Sequence, residues 1–507
     1  MAGKEASDVP VLVVGAGPSG LLAAVELARH GIQARVVERE PVPPKQARAT
    51  AVQPGTLEIL AQTGVADTFL QTSVHLAFAR VFNASLSPIA EMAFAGAGCQ
   101  WEFQCSLPQW RTEEILADRL AELGGSVDRG AEVITIKDRE EWLDVGLRRA
   151  DGTAENIQAS WVLGAGGAHS VTRGSMAEEL AGETYPGTAL VADVQVSCDL
   201  PRDGSALIAS PRGYVLLAPL PDNRWITFVG DLTEGEAGIL QRDLSTAAIA
   251  ATLEHRVAES VRLNDVNWAA TFRMHHRQAP ELAAHRRFLL GDAAHLSSPF
   301  GGEGLNSGMH DGHNLAWKLA LELTGHARPC LLDSYAAERG AAAKHVLAVS
   351  DRLHRLAHSA VESARTGIFS DPPTPAESAA LVRSRSMLDF SYAASHLTGE
   401  YQASDWPEAA VPAPGQRYGD RASLTGTAHH LLVSGRAHEI SLARLQDRWS
   451  GLVKLDRLPA DPRRGGPASD WALLVRPDGY VGFRACPADA AGVAAVEAHL
   501  SSYLIPV

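Results

Sequence analysis

The residues of this chain that could do chemistry gather in three glycine-rich stretches and a few isolated polar side chains. The first stretch is Gly15-Ala16-Gly17-Pro18-Ser19-Gly20. In such a run the first glycine permits a tight turn. The second leaves the backbone bare so that a diphosphate can approach it, and the third lets helix and strand pack closely. The N–H groups and positive dipole end of the helix that follows would face the anion. Glu38, with Arg39 beside it, is placed to accept hydrogen bonds from a ribose diol. An acid there suits an unphosphorylated adenosine ribose, so FAD or NAD rather than NADP. The second stretch holds Gly291-Asp292 and then Pro299-Phe300-Gly301-Gly302-Glu303-Gly304-Leu305-Asn306. An aspartate after a strand can hold a ribityl hydroxyl. Successive backbone N–H groups ahead of a helix can hold the polar edge of a flavin and stabilise its negative charge on reduction. The third stretch is Gly164-Ala165-Gly166-Gly167. It imitates the start of a second dinucleotide fingerprint, but the third glycine is missing, so no separate NAD domain is expected.

Elements must put these residues where they can work. Val9–Val14 is a short apolar, β-branched run fit for a buried parallel strand. Leu21–His30 has helical periodicity, with Gly31 where a C-cap glycine would sit, and Ala34–Val37 reads as a second strand ending at Glu38. Strand, glycine turn, helix and strand make the βαβ unit that gives the first motif its meaning. Phe288–Leu290 reads as a strand entering the second motif, and Gly312–Gly325 carries a helical stripe. Between residues 183 and 273, β-like runs at Ala189–Val196, Tyr214–Ala218, Trp225–Val229 and Asn267–Phe272 alternate with turn signals, which predicts an antiparallel sheet. Val74–Phe94 is expected to extend it. Ser334–His358 reads as helix, Phe369–Glu377 as a proline-rich linker, and residues 411–507 as a separate module with two strands around the Asp478-Gly479 turn and a terminal helix.

The segment from Leu289 to Leu319 (LLGDAAHLSSPFGGEGLNSGMHDGHNLAWKL) resembles the second FAD motif of the single-component, class A flavoprotein aromatic hydroxylases. That group includes para-hydroxybenzoate hydroxylase, phenol hydroxylase and polyketide-tailoring hydroxylases. Arg48–Leu60 is similar to the family segment in which an arginine, here Arg48, contacts the cofactor. Ser106–Leu120 is similar to the helix whose first glutamine, here Gln109, touches the flavin. Phe272–Ala279 is similar to the strand that leads back into the flavin domain. The resemblance spans roughly residues 9–340 and, more loosely, the C-terminus. It implies an α/β fold: a Rossmann-like FAD-binding domain (1–75, 106–182 and 274–400), an antiparallel β-sheet substrate domain (76–105 and 183–273) and a thioredoxin-like C-terminal domain (411–507). It implies an FAD-dependent monooxygenase that uses NAD(P)H and O₂, through a flavin hydroperoxide, to hydroxylate a phenolic or polyketide-like small molecule. Cofactor contacts are then expected at Gly15, Gly17, Pro18, Ser19, Gly20, Glu38, Arg39, Arg48, Gln109, Gly166, Gly291, Asp292, Pro299, Gly302, Gly304, Leu305 and Asn306. Pro299, Gly301 and Gly302 would form the flavin edge. No obligatory side-chain base is named; a pocket histidine, a tyrosine or water could take a substrate proton.

One departure matters. The family's middle motif has Asp-Gly in a turn tied to FAD and nicotinamide handling, and here Gly166 stands where the aspartate is expected. Gly164, Gly167, Ser170 and Arg173 match. A glycine cannot supply the carboxylate, which brings nicotinamide binding and reduction rate into question. Two alternatives stay open: Baeyer–Villiger, epoxidation or rearrangement chemistry on the same fold, or an accessory flavin-binding protein with impaired NAD(P)H use.

The rest of the composition agrees with this class. Lys plus Arg is 45 against 59 for Asp plus Glu, a formal charge of −14, which argues against a general nucleic-acid binder. No apolar run is long enough for a membrane-spanning helix, and the N-terminus lacks a signal-peptide pattern. The five cysteines form no CxxC pair and no zinc spacing, so they read as reduced thiols in a cytoplasmic protein. Adjacent strand residues face opposite ways, so His275-His276 and His429-His430 make no metal site; no metal is expected. His295 reads equally as cofactor lining or packing, and Trp101 and Trp110 as core. A C-terminal module without CxxC is read as structural or as a homodimer contact.

Overall fold

The computed structural model describes residues 8–257, 261–367, 374–403, 411–419, 423–458 and 470–506. Residues 1–7 and most of the stretch read as a proline-rich linker lie outside the described residues. The described end of that stretch is no linker. Thr374 caps helix Pro375–Arg385 in a reciprocal box with Glu377, a start signal that the surrounding prolines concealed.

The sheet that carries the glycine motifs runs in the order Arg287–Leu289, Ala154–Gly164, Val9–Val14, Arg35–Glu38, Val127–Arg129, all parallel. Ala283–Ala284 adds an antiparallel edge, and a hairpin, Ala131–Asp138 and Leu143–Arg149, pairs antiparallel with Ala154–Gly164. The register decides where the site must be. Val14 pairs with both Val37 and Gly164, and Gly164 pairs with Leu289. The three glycine stretches therefore leave the sheet side by side at its carboxyl edge, where open parallel sheets place ligands. Helix Pro18–Arg29 and helix Gly304–Leu323 pack together above this edge. A Cβ at Gly308 would lie 2.1 Å from Ser19 Oγ, and one at Gly312 would lie 3.0 Å from both Ser19 O and Ala23 N. Only glycine allows the two helices to come this close.

A second sheet has seven strands, ordered Arg262–Phe272, Ala189–Ser197, Trp225–Val229, Gly213–Pro219, Gly204–Ser210, Phe78–Asn83, Pro88–Ala93. The expected antiparallel sheet is corrected in one place: Gly204–Ser210 and Phe78–Asn83 are parallel. Gly204–Ser210 (GSALIAS) gave little signal because glycine and serine dilute its β-propensity. Val74–Leu76 belongs elsewhere, in a small sheet with Ala51–Val52 and Gln104–Ser106. Helices Glu234–Leu240 and Thr246–Glu254, also unexpected, close the sheet's far face over Leu232, Leu240, Ile249 and Leu253. Strand Ala181–Thr184 and strand His275–Gln278 cross between the two sheets.

The C-terminal residues form a five-stranded sheet ordered Gly399–Gln402, Val481–Cys486, Trp471–Val475, His429–Ser434, Val453–Arg457, with helices Glu439–Arg448 and Ala490–Tyr503. No helix among the described residues is long and apolar enough to cross a membrane. All five cysteines are free thiols.

Candidate functional site

The first glycine turn is held by contacts that a larger residue would break. Gly15 has φ +106°, and a Cβ there would lie 2.4 Å from Ala165 O; a Cβ on Gly20 would lie 2.1 Å from Gly15 O. These two glycines are needed by the protein's own packing. Gly17 differs: its φ is −75° and a Cβ would meet nothing within 4 Å. The space above Gly17 is a cradle that no atom of the described residues fills. The helix's first internal bond runs from Leu21 N–H to Gly17 O, so the N–H groups of Ser19 and Gly20 precede the helical ladder. Glu38 closes the turn, accepting from the N–H of Ala16 (2.9 Å) and of Glu40 (3.0 Å). Arg39, expected at the cofactor, has a side chain 62% exposed and pairs with Glu40 at 3.3 Å.

The second stretch backs onto the first. Gly291 has φ +58°, and a Cβ on it would lie 2.5 Å from Ser19 Oγ. Its N–H donates to Asp311 Oδ2 (2.9 Å), which also lies 2.9 Å from His295 Nε2, while Arg339 Nε donates to Asp311 Oδ1 (2.6 Å). Arg339 Nη1 in turn donates to the Tyr392 hydroxyl (2.9 Å). This buried chain fixes the turn from behind and presents the neighbouring Asp292 to the cleft. His295 is thus a buried member of the support behind the turn.

Asp292 is exposed as a residue, yet its carboxyl is enclosed by surrounding protein. The poor solvation raises its pKa, against the opposing pull of His295 and Arg48. It accepts no hydrogen bond from the described residues. Arg48 is exposed, and its charge acts on both Asp292 and Glu113, so it stands over the same cleft. Gln109 opens helix Gln109–Glu122 and donates to Glu113 Oε1 (2.8 Å). Glu113, unremarkable in the sequence, has its pKa raised by burial and by nearby Glu38.

The loop from Pro299 to Asn306 turns through two left-handed glycines, Gly301 (φ +90°) and Gly302 (φ +68°). Gln53 Nε2 donates to Gly301 O (2.5 Å), and Asn306 Nδ2 donates to Gly302 O (2.6 Å) and to Ala51 O (2.8 Å). Asn306 Oδ1 accepts from the Gln53 N–H (2.8 Å). The Asn306 side chain is therefore spent on fastening two loops, and only its backbone N–H is left for a ligand. Gly304, Leu305 and Asn306 precede the first helical bond, which joins Ser307 N–H to Glu303 O. Phe300 packs edge-on against Tyr214 (5.2 Å), Phe228 (5.8 Å) and His354 (5.1 Å), which seats the seven-stranded sheet over this loop.

Gly166 lies next to the first turn, since a Cβ at Gly15 would come within 3.1 Å of its N atom. It is exposed, has φ −77°, and a Cβ would sit in ordinary contact, 3.7 Å from Ser170 Cα. The backbone does not demand glycine there, whereas Gly167 has φ +74°. Arg173 clamps this loop to the second motif by donating to Ala293 O (3.0 Å) and Ala168 O (2.6 Å). Among the described residues no group of three or more His, Cys, Asp or Glu is arranged to hold a metal ion.

Sequence reasoning did not single out Asp311, Arg339, Glu113 or the special surroundings of Glu303. The first three carry no local signature. Glu303 stood in the motif, but its burial is a tertiary fact.

The donor set fits FAD: an unfilled cradle at Gly17, helix N–H groups at two sites, and an unpartnered aspartate between them. Residues 8–350 match the family described as FAD binding domain. The chain is 36% identical over 344 residues to 6-methylpretetramide 4-monooxygenase of Streptomyces rimosus, covering 66% of this chain and 60% of that one. It is 29% identical over 496 residues to a flavin-dependent monooxygenase of Mycobacteroides abscessus, covering 93% of this chain and 96% of the relative. Among solved structures it is similar to aklavinone-11 hydroxylase in a ternary complex with FAD and aklavinone. That match has a TM-score of 0.79 and 25% identity, over 98% of this chain and 99% of the other.

Proposed function

This chain belongs to the FAD-binding-domain family of class A flavoprotein aromatic hydroxylases, and from that membership we propose that it hydroxylates a phenolic or polyketide-like small molecule with NAD(P)H and O₂. The observation that carries the reading is the convergence of three glycine loops at one sheet edge, with Tyr214 of the seven-stranded sheet packed on Phe300 of the second loop. When bound, FAD would accept a hydride from NAD(P)H and activate O₂ for transfer of one oxygen atom to the ring. The protein's own part is binding, orientation and exclusion of water. Gly17 leaves room for the diphosphate, the Ser19 and Gly20 N–H groups meet its charge, and Glu38, on the same turn, is the ribose acceptor. Asp292 takes the ribityl chain, and Arg48 and Gln109 border the cofactor. The N–H groups of Gly304 to Asn306 face the flavin edge, where negative charge develops. Tyr214, Phe228 and Phe300 close the cleft on the sheet side and dry the reacting centre.

The proposed domain division assigns one main sheet to each domain, with the C-terminal sheet also taking strand Gly399–Gln402, which precedes residue 411. The C-terminal sheet reads as thioredoxin-like: strand, helix and parallel strand (His429–Ser434, Glu439–Arg448, Val453–Arg457), then an antiparallel pair and a terminal helix. With Cys486 alone and buried, its role is structural.

The direct test is consumption of NAD(P)H and O₂ with and without phenolic substrates, with product mass raised by one oxygen atom. Oxidation that never yields an oxygenated product would sink the hydroxylase reading. Asp292→Ala should weaken FAD binding by about 1–3 kcal/mol through loss of a charge-assisted hydrogen bond. Fluorescence titration of the apoprotein measures it, and an unchanged Kd would remove Asp292 from the site.

Gly166 supports a second reading, that of impaired NAD(P)H use. Because its φ is negative and a Cβ fits, Gly166→Asp should fold and should speed flavin reduction. A tenfold gain requires only about 1.4 kcal/mol of transition-state stabilisation. Rapid wild-type reduction in stopped flow, with no gain in the variant, would show that the missing acid has no bearing on hydride transfer here.

A further inference from the structure

The flavin-edge loop contains a carboxyl group that nothing above uses. Glu303 is 1% exposed, and neither of its carboxyl oxygens has a hydrogen-bond partner among the described residues. The loop curls over it: a Cβ on Gly301 would lie 3.2 Å from Glu303 Cδ and 3.3 Å from Oε1. Two charged groups act on it from the segment behind. Arg385, at the end of helix Pro375–Arg385, favours its ionisation, and Asp389 opposes it. Arg385 is itself partly committed. It donates to Gln104 Oε1 (3.1 Å), Gln104 donates to Gln53 Oε1 (2.8 Å), and Gln53 donates to Gly301 O. Asp389 pairs with His345 of helix Cys330–Thr366 (3.3 Å). Burial drives the Glu303 pKa well above the ordinary carboxyl range.

Such a group is a poor structural device, because a buried carboxyl without partners costs stability and contributes no bond. Its position gives it another use. It immediately precedes the N–H groups of Gly304 to Asn306, which in the proposed function meet the negative charge of reduced flavin. A carboxylate there and an anionic flavin would be two like charges sharing one dry loop. We propose that Glu303 takes up one proton from solvent when the flavin is reduced, so that the loop gains no second negative charge. The inference rests on the FAD reading. The balance is simple: the flavin gains two electrons and one proton, together as a hydride from NAD(P)H or as electrons from dithionite with the proton from solvent; solvent gives Glu303 a second proton, and no covalent bond forms to the carboxyl. Glu303 is a positioning residue for charge rather than a catalytic residue.

The experiment is a spectroelectrochemical titration of FAD-loaded wild type and Glu303→Gln between pH 6 and 9, with dithionite as reductant. One proton per two electrons lowers the midpoint potential by about 30 mV per pH unit, and two protons by about 59 mV. The variant should follow the shallower slope throughout. Wild type should steepen towards the second value over the range in which Glu303 is ionised in the oxidised protein and protonated in the reduced one. Parallel lines for the two proteins would overturn the proposal. Loading with FAD is read separately from the bound flavin spectrum: a colourless wild type would refute the FAD reading and the proposal with it, whereas parallel lines in loaded protein would refute the proposal alone. In either case the apoproteins give a second readout. A carboxyl whose folded pKa lies above its unfolded value loses stability as pH rises between the two. The Tm margin of Glu303→Gln over wild type should therefore widen as pH rises from 5 to 8. A margin that does not change with pH would equally overturn the proposal.

Discussion

The Gly17→Val protein should fold as the wild type does and come through purification without flavin. A Cβ at Gly17 meets no protein atom within 4 Å and the backbone there has φ −75°, so the apoprotein should lose little stability. The valine methyl groups would occupy the space through which a diphosphate reaches the N–H groups of Ser19 and Gly20. A loss of at least about a hundredfold in FAD affinity, roughly 2.7 kcal/mol, is the expected scale. Gly20→Val is the contrasting control: its Cβ would sit 2.1 Å from Gly15 O, so that variant should be damaged in folding itself. Thermal melting of the apoproteins and FAD titration separate the two. Normal flavin occupancy in Gly17→Val would remove this turn from the cofactor site.

The second large effect lies far from the cleft. Glu338 is buried among Lys318 (Nζ at 2.7 Å), Arg476 (2.6 Å), the Asn314 amide (2.8 Å) and the Ser395 hydroxyl (2.6 Å). Arg476 also pairs with Asp478. Two cations and two anions balance in a site closed to water, and they join helix Gly304–Leu323 to the turn between two C-terminal strands. Glu338→Ala would leave Lys318 and Arg476 with a single carboxylate. The expected cost is about 3–5 kcal/mol, because an uncompensated buried charge is left behind. Denaturant melts would measure it. Because the cluster spans both parts of the chain, the loss should appear in the unfolding of each. A change under 1 kcal/mol would mean that the cluster relaxes or hydrates, and that the C-terminal sheet is held by its apolar contacts alone.

These two cases also mark what could be read in the sequence. The Gly15–Gly20 turn, its strand, its helix and Glu38 were legible because the chemistry is local: a few residues fix the turn and the periodicity around it does the rest. The same holds for Asp292 and the Pro299–Asn306 loop. Arg476-Pro477-Asp478-Gly479 reads in sequence as an ordinary solvated hairpin turn, yet Arg476 and Asp478 are both 1% exposed. Nothing near them announces Glu338 as their partner. Asp311 and Arg339 are hidden for the same reason, because charged residues on a helix look solvated until a second helix covers them. Gly204–Ser210 was missed because its strand pairing comes from neighbours rather than from its own propensity. Asn306 stands in the expected loop, but its side chain fastens Gln53 and Ala51.

That last fastening has a consequence for how the protein is made. Gln53 and Asn306 are 253 positions apart, and the cleft is not walled until they meet. At about 5–20 residues per second, a ribosome needs roughly 10–50 s to travel between them. Throughout that interval the nascent chain carries the first glycine turn and the apolar face of helix Pro18–Arg29 with no helix Gly304–Leu323 to cover them. Cofactor capture must therefore follow synthesis of most of the chain. Until then the newly emerged N-terminal unit keeps that apolar face uncovered, and a flavin supplied early would meet only part of its site.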